Sequence, residues 1–318
     1  MSGSIPASPS VEAIGPAAAA APIRATAPLS PTADAWRRFR KHRLAVISLV
    51  VLALIVFGVL VGPLIWGVPI DAIDFAAMLQ GPSATHPCGT DALGQDLLAR
   101  LMYGGKVSLA VGVAAMFVAV FVGMLIGAIS GMASGRLDAA LMWVTDMFLA
   151  LPQLPLLLLL IYLFRPALQR VLGEQGGIFV LIVVVIGGLR WMPLARLVRA
   201  QFLSLREKEF VEAARALGAS KIRLVLRHIM PNAMGPAIVA GTIEVANAII
   251  AESTLSFLGV GFPPDVPSWG RMLYDSQDYL QLAPHWALFP GSAIFLAVLT
   301  INFIGDGLRD ALDPRRVI

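Results

Sequence analysis

Few groups in this chain could do chemistry. Its 318 residues include four histidines and one cysteine. A phosphate-binding loop needs a glycine, four residues and then Gly-Lys-Ser/Thr, so that backbone amides and the lysine cradle phosphates. The nearest approach is Gly105-Lys106, but Arg100 occupies the first glycine position and Val107 the hydroxyl position. No HExxH, CxxC or nucleophile-elbow pattern occurs. His42, His86, His228 and His285 are scattered and suit interfaces rather than a metal site, and Cys88 has no second cysteine to pair with. The expectation is a chain with no catalytic residue, no metal site and no cofactor of its own. Three acids stand out by their surroundings. Asp146, Glu244 and Glu252 fall inside long apolar stretches. A carboxylate at mid-membrane costs about 2.5–3.5 kcal/mol on insertion scales, so it faces a helix bundle or a wet cavity. Glu244 and Glu252 are separated by about 12 Å of helical rise and roughly 80° of rotation, so they make no paired-acid site. Glu252 is expected near the outer interface, where the cost is smaller. All three are candidates either for lining a path or for bonding to neighbouring helices.

The elements that hold these acids are set by composition. The chain is 58% hydrophobic and 14% charged, with mean hydropathy +0.79. A soluble domain carries about 25% charged residues. An all-α integral membrane protein is therefore expected, because a helix satisfies its own backbone in lipid. Six stretches reach the roughly 20 apolar residues that a crossing needs: 44–65, 107–130, 137–164, 178–195, 234–260 and 285–304. Residues 1–35, rich in Ala, Pro and Ser, form an expected disordered cytoplasmic tail, and 36–318 the transmembrane domain. With the N-terminus cytoplasmic, nineteen of the 24 Lys and Arg residues fall inside, Arg190, Arg196 and Arg199 among them. That bias orients the chain with both termini cytoplasmic. The net charge of +4 and pI near 9.6 then belong to a membrane face rather than to nucleic-acid binding.

One inner segment, 203–232, is too polar for lipid. Ser204 and Glu207 have the spacing of a capping box. Phe210, Ala213, Ala214 and Leu217 recur on one helical face, and Gly218 suits a left-handed stop. Ser220 can cap a second helix with Ile222, Val225, Leu226 and Ile229 on its apolar face, closed by Pro231. Such a pair either rests on lipid headgroups or docks a cytosolic partner. The small Ala213-Ala214 pair favours docking, because it lets another surface approach closely. Elsewhere Gly123, Gly127, Gly131 and Gly135 recur every four residues, a stripe suited to backbone-to-backbone packing of helices. The outer segment 262–284, with Trp269, Tyr274 and Tyr279, reads as an amphipathic helix at headgroup level or as a receiving surface.

These residues together resemble a known family. Glu212-Ala213-Ala214, three residues, Gly218, and a segment ending in Pro231-Asn232 are similar to the EAA loop of bacterial ABC importer permeases. His228 and Met230 depart from the usual isoleucine and leucine, and "RHIMPN" resembles the variant of the oligopeptide, dipeptide and nickel group. "GTDALGQDLLARLMYGGKVSL" (89–109), "AESTLSFLGVG" (251–261), "PSWGRML" (267–273) and "GDGLRDALDP" (305–314) are similar to the C-type subunit of that group. The resemblance covers about 36–316. It implies a type I importer permease core in the bacterial inner membrane. It implies as partners a second homologous permease, two ABC ATPase subunits that use ATP and Mg, and an extracytoplasmic solute-binding protein, with lipid around them. The expected role is one half of a translocation path for di- and oligopeptides, coupled through Glu212, Ala213, Ala214, Gly218, Pro231 and Asn232. Nickel, glutathione or another small solute is the alternative cargo, and an ion-coupled secondary transporter using the membrane acids is the reading from another class.

Overall fold

The computed structural model describes residues 31–312. The tail over 1–30 and the basic residues Arg24, Arg315 and Arg316 lie outside them. Among the described residues the regular elements are helical, and the one β-bridge, Thr90 with Asp96, stands alone. Helix α1 (Pro31–Lys41) begins within the expected tail and carries the basic cluster. Its Phe39 is buried against Ala45, Ile304 and Ala311. His42 interrupts the chain, and its Nδ1 accepts the Ala45 N–H at 3.1 Å, capping α2 (Arg43–Trp66).

Among the described residues five helices are long and apolar enough to cross a membrane, and a sixth crossing appears if one bent pair counts as a span. The five are α2, α3 (Leu97–Met132), α5 (Gln153–Leu172), the continuous segment Lys221–Phe257 that includes α10 (Met230–Phe257), and α12 (Pro284–Leu312). The bent pair is α6 (Glu174–Gly188) and α7 (Trp191–Leu205), at 43° to each other.

Two expected spans are therefore redrawn. The stretch 137–164 is not one helix. It divides into α4 (Arg136–Ala150) and α5, because Pro152 has no N–H to continue the ladder and Leu151 before it is extended. The stretch 178–195 is interrupted at Leu189-Arg190, after Gly187 and Gly188, and its second half runs on to Leu205. Arg196 and Arg199 thus belong to a helix and not to an inner loop, and Arg190 sits at the break just before it.

Helix α3 is the centre of the bundle and packs against α2, α6, α7, α10 and α11 (Trp269–Asp275). Small residues allow this. A Cβ on Gly123 would lie 2.9 Å from the Trp191 carbonyl oxygen, and one on Gly127 2.6 Å from that of Ala195. One on Gly131 would lie 2.4 Å from the Cβ of Phe202. The expected glycine stripe is thus a packing face for α7. Gly135 does not belong to it, since it has φ +67° with open space around it and precedes α4.

At one end of the bundle, α2 and α10 give way to the loops 67–96 and 258–283, with α11 between α10 and α12. Trp269 is 1% exposed, and its Nε1 donates to the Leu101 carbonyl at 3.0 Å. Helix α11 is therefore tucked into the bundle over Gly104 and Gly105. Buried α11 positions are filled by Trp269, Gly270 and Met272.

Candidate functional site: an exposed helix and the membrane charges

The opposite end carries the segment that follows α7. Helix α7 continues through Ser204 to Leu205, and helix α8 (Glu209–Ala216) starts after Lys208 with no side-chain cap. The expected capping box at Ser204 and Glu207 is thus not formed: Ser204 is still inside α7, which its packing on α3 prolongs. Glu207 instead pairs with Arg206 at 3.0 Å, and Arg206 also donates to the Gly131 carbonyl at 3.3 Å. Glu209 and Glu212 occupy the first turn of α8, where the helix dipole favours negative charge.

The far end of α8 has a Schellman stop. Ala219 N–H bonds the Ala214 carbonyl at 3.1 Å, Gly218 N–H bonds that of Arg215 at 3.0 Å, and Gly218 sits at φ +83°. Ser220 accepts the Arg223 N–H, as the spacing predicts. The second helix does not end at Pro231. A short α9 (Lys221–Arg223) passes into a π-helical stretch, Leu224–Ile229, and then directly into α10. Proline cannot donate and crowds the carbonyl four residues back. The wider turn ahead of Pro231 relieves both problems, and Asn232 Nδ2 donates to the His228 carbonyl at 2.6 Å.

The apolar faces also divide otherwise than periodicity suggests. Val211 is fully buried against a cluster with Phe202, Leu224 and Ile229. Phe210, Ala213, Leu217, Ile222 and Leu226 face outward, Leu217 at 90% exposure. One side anchors the hairpin, and the other is an unpartnered apolar surface edged by the exposed Glu212, Arg215 and Arg223.

Each membrane acid has a partner. Asp146 on α4 pairs with Arg196 on α7. Asp138, one stretch earlier, makes a bidentate pair with Arg199 at 2.7 Å for both bonds. These contacts hold α4 to α7. Glu244 on α10 lies 3.8 Å from Arg190 at the α6–α7 break. Glu252, five residues before the end of α10, is 0% exposed. Its carboxylate accepts hydroxyl protons from Ser108 at 2.9 Å and Ser256 at 2.8 Å. Ser108 in turn accepts the Trp269 N–H at 3.2 Å, so Glu252 fastens α3, α10 and α11 together. Sequence reasoning missed Val211 as the anchor and Arg190 as a partner within the membrane. Gly187-Gly188 ahead of Leu189-Arg190 was the available signal for the break.

In the loops, His86 Nδ1 lies 2.8 Å from Asp96, which caps α3 by accepting the Ala99 N–H at 2.7 Å. Cys88 is buried nearby, and burial with the Asp96 charge pushes its thiol up to about 11.

The described residues thus form a helical bundle that ends in a short helix with an exposed apolar face. Its fold is that of the MetNI methionine ABC transporter permease in inward-facing conformations, with a TM-score of 0.53 and 19% identity over 66% of this chain and 95% of that one. The chain belongs to the family described as the binding-protein-dependent transport system inner membrane component, whose model matches residues 123–318. A second model, the N-terminal TM domain of oligopeptide transport permease C, matches residues 30–82. The oligopeptide transport system permease protein OppC of Escherichia coli K12 is 43% identical, with 89% of this chain and 90% of that protein aligned. The dipeptide transport system permease protein DppC of Alkalihalophilus pseudofirmus is 37% identical, with 90% and 91% aligned. The chain is thus an inner-membrane transport subunit of a non-catalytic family.

Proposed function

We propose that this chain forms half of the translocation path of an ATP-driven importer of di- and oligopeptides, with both termini in the cytoplasm. A second permease completes the path, two ATPase subunits use ATP and Mg on the cytoplasmic side, and a solute-binding protein delivers cargo from outside. The observation that carries the reading is the outward apolar face of α8 and the π-helical segment, backed by Val211. A helix held at both ends transmits displacement rather than absorbing it.

Helix α8 is joined to α7 by three residues and through Gly218 to the segment that becomes α10. An ATPase surface that carries α8 along therefore pulls both α7 and α10. Their break, bend and wide turn are the places where that motion is taken up. Glu212, Ala213, Ala214, Gly218, Pro231 and Asn232 are the coupling residues of this reading. The peptide cargo is supported by the relatives named above.

The test is crosslinking. With Cys88 replaced by serine, A213C or A214C in the assembled importer is expected to crosslink to the ATPase subunit. Sites that reach only lipid or solvent in the assembly would overturn the coupling role. Uptake in vesicles should follow ATP and ignore a collapsed proton gradient. The opposite dependence would favour the ion-coupled class.

A further inference from the structure

Arg190 and Glu244 are the charges set deepest in the bundle by position. Glu244 is about 20 Å of helix rise from either end of α10. Arg190 sits between two 15-residue helices, about 22 Å from each far end. The side chains are 26% and 14% exposed on this protomer. Charged groups at that depth do not face lipid, so this surface is covered by protein or lines water.

The pair is also loosely made. The closest approach is 3.8 Å, Glu244 Oε2 accepts no hydrogen bond, and Asn247 Nδ2 reaches Oε1 only at 3.4 Å. The Asp138–Arg199 pair, with two bonds of 2.7 Å, shows what a fastening in this chain looks like. A buried ion pair contributes stability only with good geometry and satisfied lone pairs, so a fastening role leaves this one unexplained.

Space is present beside it. A Cβ on Gly188, two residues before Arg190, would meet nothing within 4 Å. The α6–α7 break opens here, and α7 starts at Trp191 with no side-chain cap on its free N–H groups. Interrupted helices at the midplane are how transport proteins present polar backbone to a solute, and a helix start adds positive potential to that of Arg190.

We propose that Arg190, Glu244 and Asn247 line the passage between this subunit and its second permease. Arg190 and the start of α7 contact the terminal carboxylate of a peptide in transit, and Glu244 contacts its terminal ammonium. The resting pair is then a placeholder: each charge holds the other until a zwitterion with both charges replaces it. This rests on the peptide-importer reading.

The experiment uses the whole importer in proteoliposomes with its binding protein and three probes: trialanine, trialaninamide and N-acetyl-trialanine. The same binding protein serves every variant, so its own selectivity cancels in ratios between variants. R190Q should shift the trialanine/amide uptake ratio about tenfold toward the amide, the scale of one charge-assisted contact. E244Q should shift the trialanine/N-acetyl ratio by a similar factor toward the acetylated peptide. Equal losses for all three peptides would overturn the proposal and leave a structural pair. Should either variant fail to assemble, N247C in the C88S background decides. Its thiol should react with the water-soluble methanethiosulfonate ethylammonium during turnover, and an unreactive thiol with and without ATP overturns the passage. If the wild-type importer takes up none of the three, it is the peptide reading that has failed. Unshifted ratios with normal wild-type uptake sink the role of the pair alone.

Discussion

Replacing Gly127 by alanine adds one methyl group where α3 meets α7. That methyl would lie 2.6 Å from the Ala195 carbonyl oxygen and 2.7 Å from the Cβ of Val198. Ordinary contact begins at 3.4 Å, so the helices must part by roughly 0.8 Å or tilt. The obstacle is backbone oxygen, which has no alternative rotamer to move into. Overpacking of this kind costs about 1–3 kcal/mol. The same change at Gly58 on α2 meets nothing within 4 Å, and removing a glycine from a helix interior there favours the helix by about 0.5–1 kcal/mol. Both variants share that gain, so unfolding free energies measured in mixed detergent micelles should separate G127A from G58A by roughly 1–3 kcal/mol, with G127A the weaker. Because α7 leads into α8, G127A should also lower uptake more than ATP hydrolysis. Equal stabilities for the two variants would refute the claim that α7 is seated by backbone contact along α3.

Gly218→Val places a β-branched residue at φ +83°, which costs about 1–2 kcal/mol or more. It should abolish uptake while the subunit still inserts, whereas normal ATP-driven uptake would detach the Schellman stop from coupling. Ser256→Ala removes a hydroxyl donor from the buried Glu252 carboxylate and should cost about 1–3 kcal/mol in the same micelle assay. Wild-type stability would mean that the buried Glu252 carboxylate does not need the Ser256 hydroxyl. The Cys88 thiol, held up to about 11 against a usual 9.0, keeps its proton more tightly in the folded chain. The stability it contributes is present below about pH 9 and lost as pH rises toward about 11. Native protein at pH 8 should therefore alkylate slowly and unfolded protein fast, and equal rates would contradict the burial.

The charge pattern and the run of apolar stretches were enough to read a helical membrane protein, since both follow from the cost of polar groups in lipid. Part of the polar hairpin's local geometry was legible as well. Gly218 and Ser220 act locally, through a left-handed turn and a capped amide, and local geometry is what residue type and spacing encode. Failures came where tertiary contact outweighed local preference. Ser204 has the spacing of a cap, but packing of Phe202 on Gly131 keeps α7 wound past it. Pro231 reads as a terminator, yet a wide turn lets the helix run through it. Periodicity showed that the hairpin has apolar faces but could not tell Val211, which is buried, from Leu217, which is not, because that depends on where Phe202 and Ile229 come to lie.

The residues alone determined that this chain is built of membrane-spanning helices and carries a polar helical segment that stops at Gly218. They did so because hydropathy, charge bias and turn chemistry are properties of short segments. Only the folded bundle decided the partners of the acids. Glu252 meets Ser108 across 144 residues of sequence, and Glu244 meets Arg190 across a helix break. Such pairings depend on how α3, α6 and α10 approach one another, and that distance is set by glycines whose role appears only once the helices are in contact.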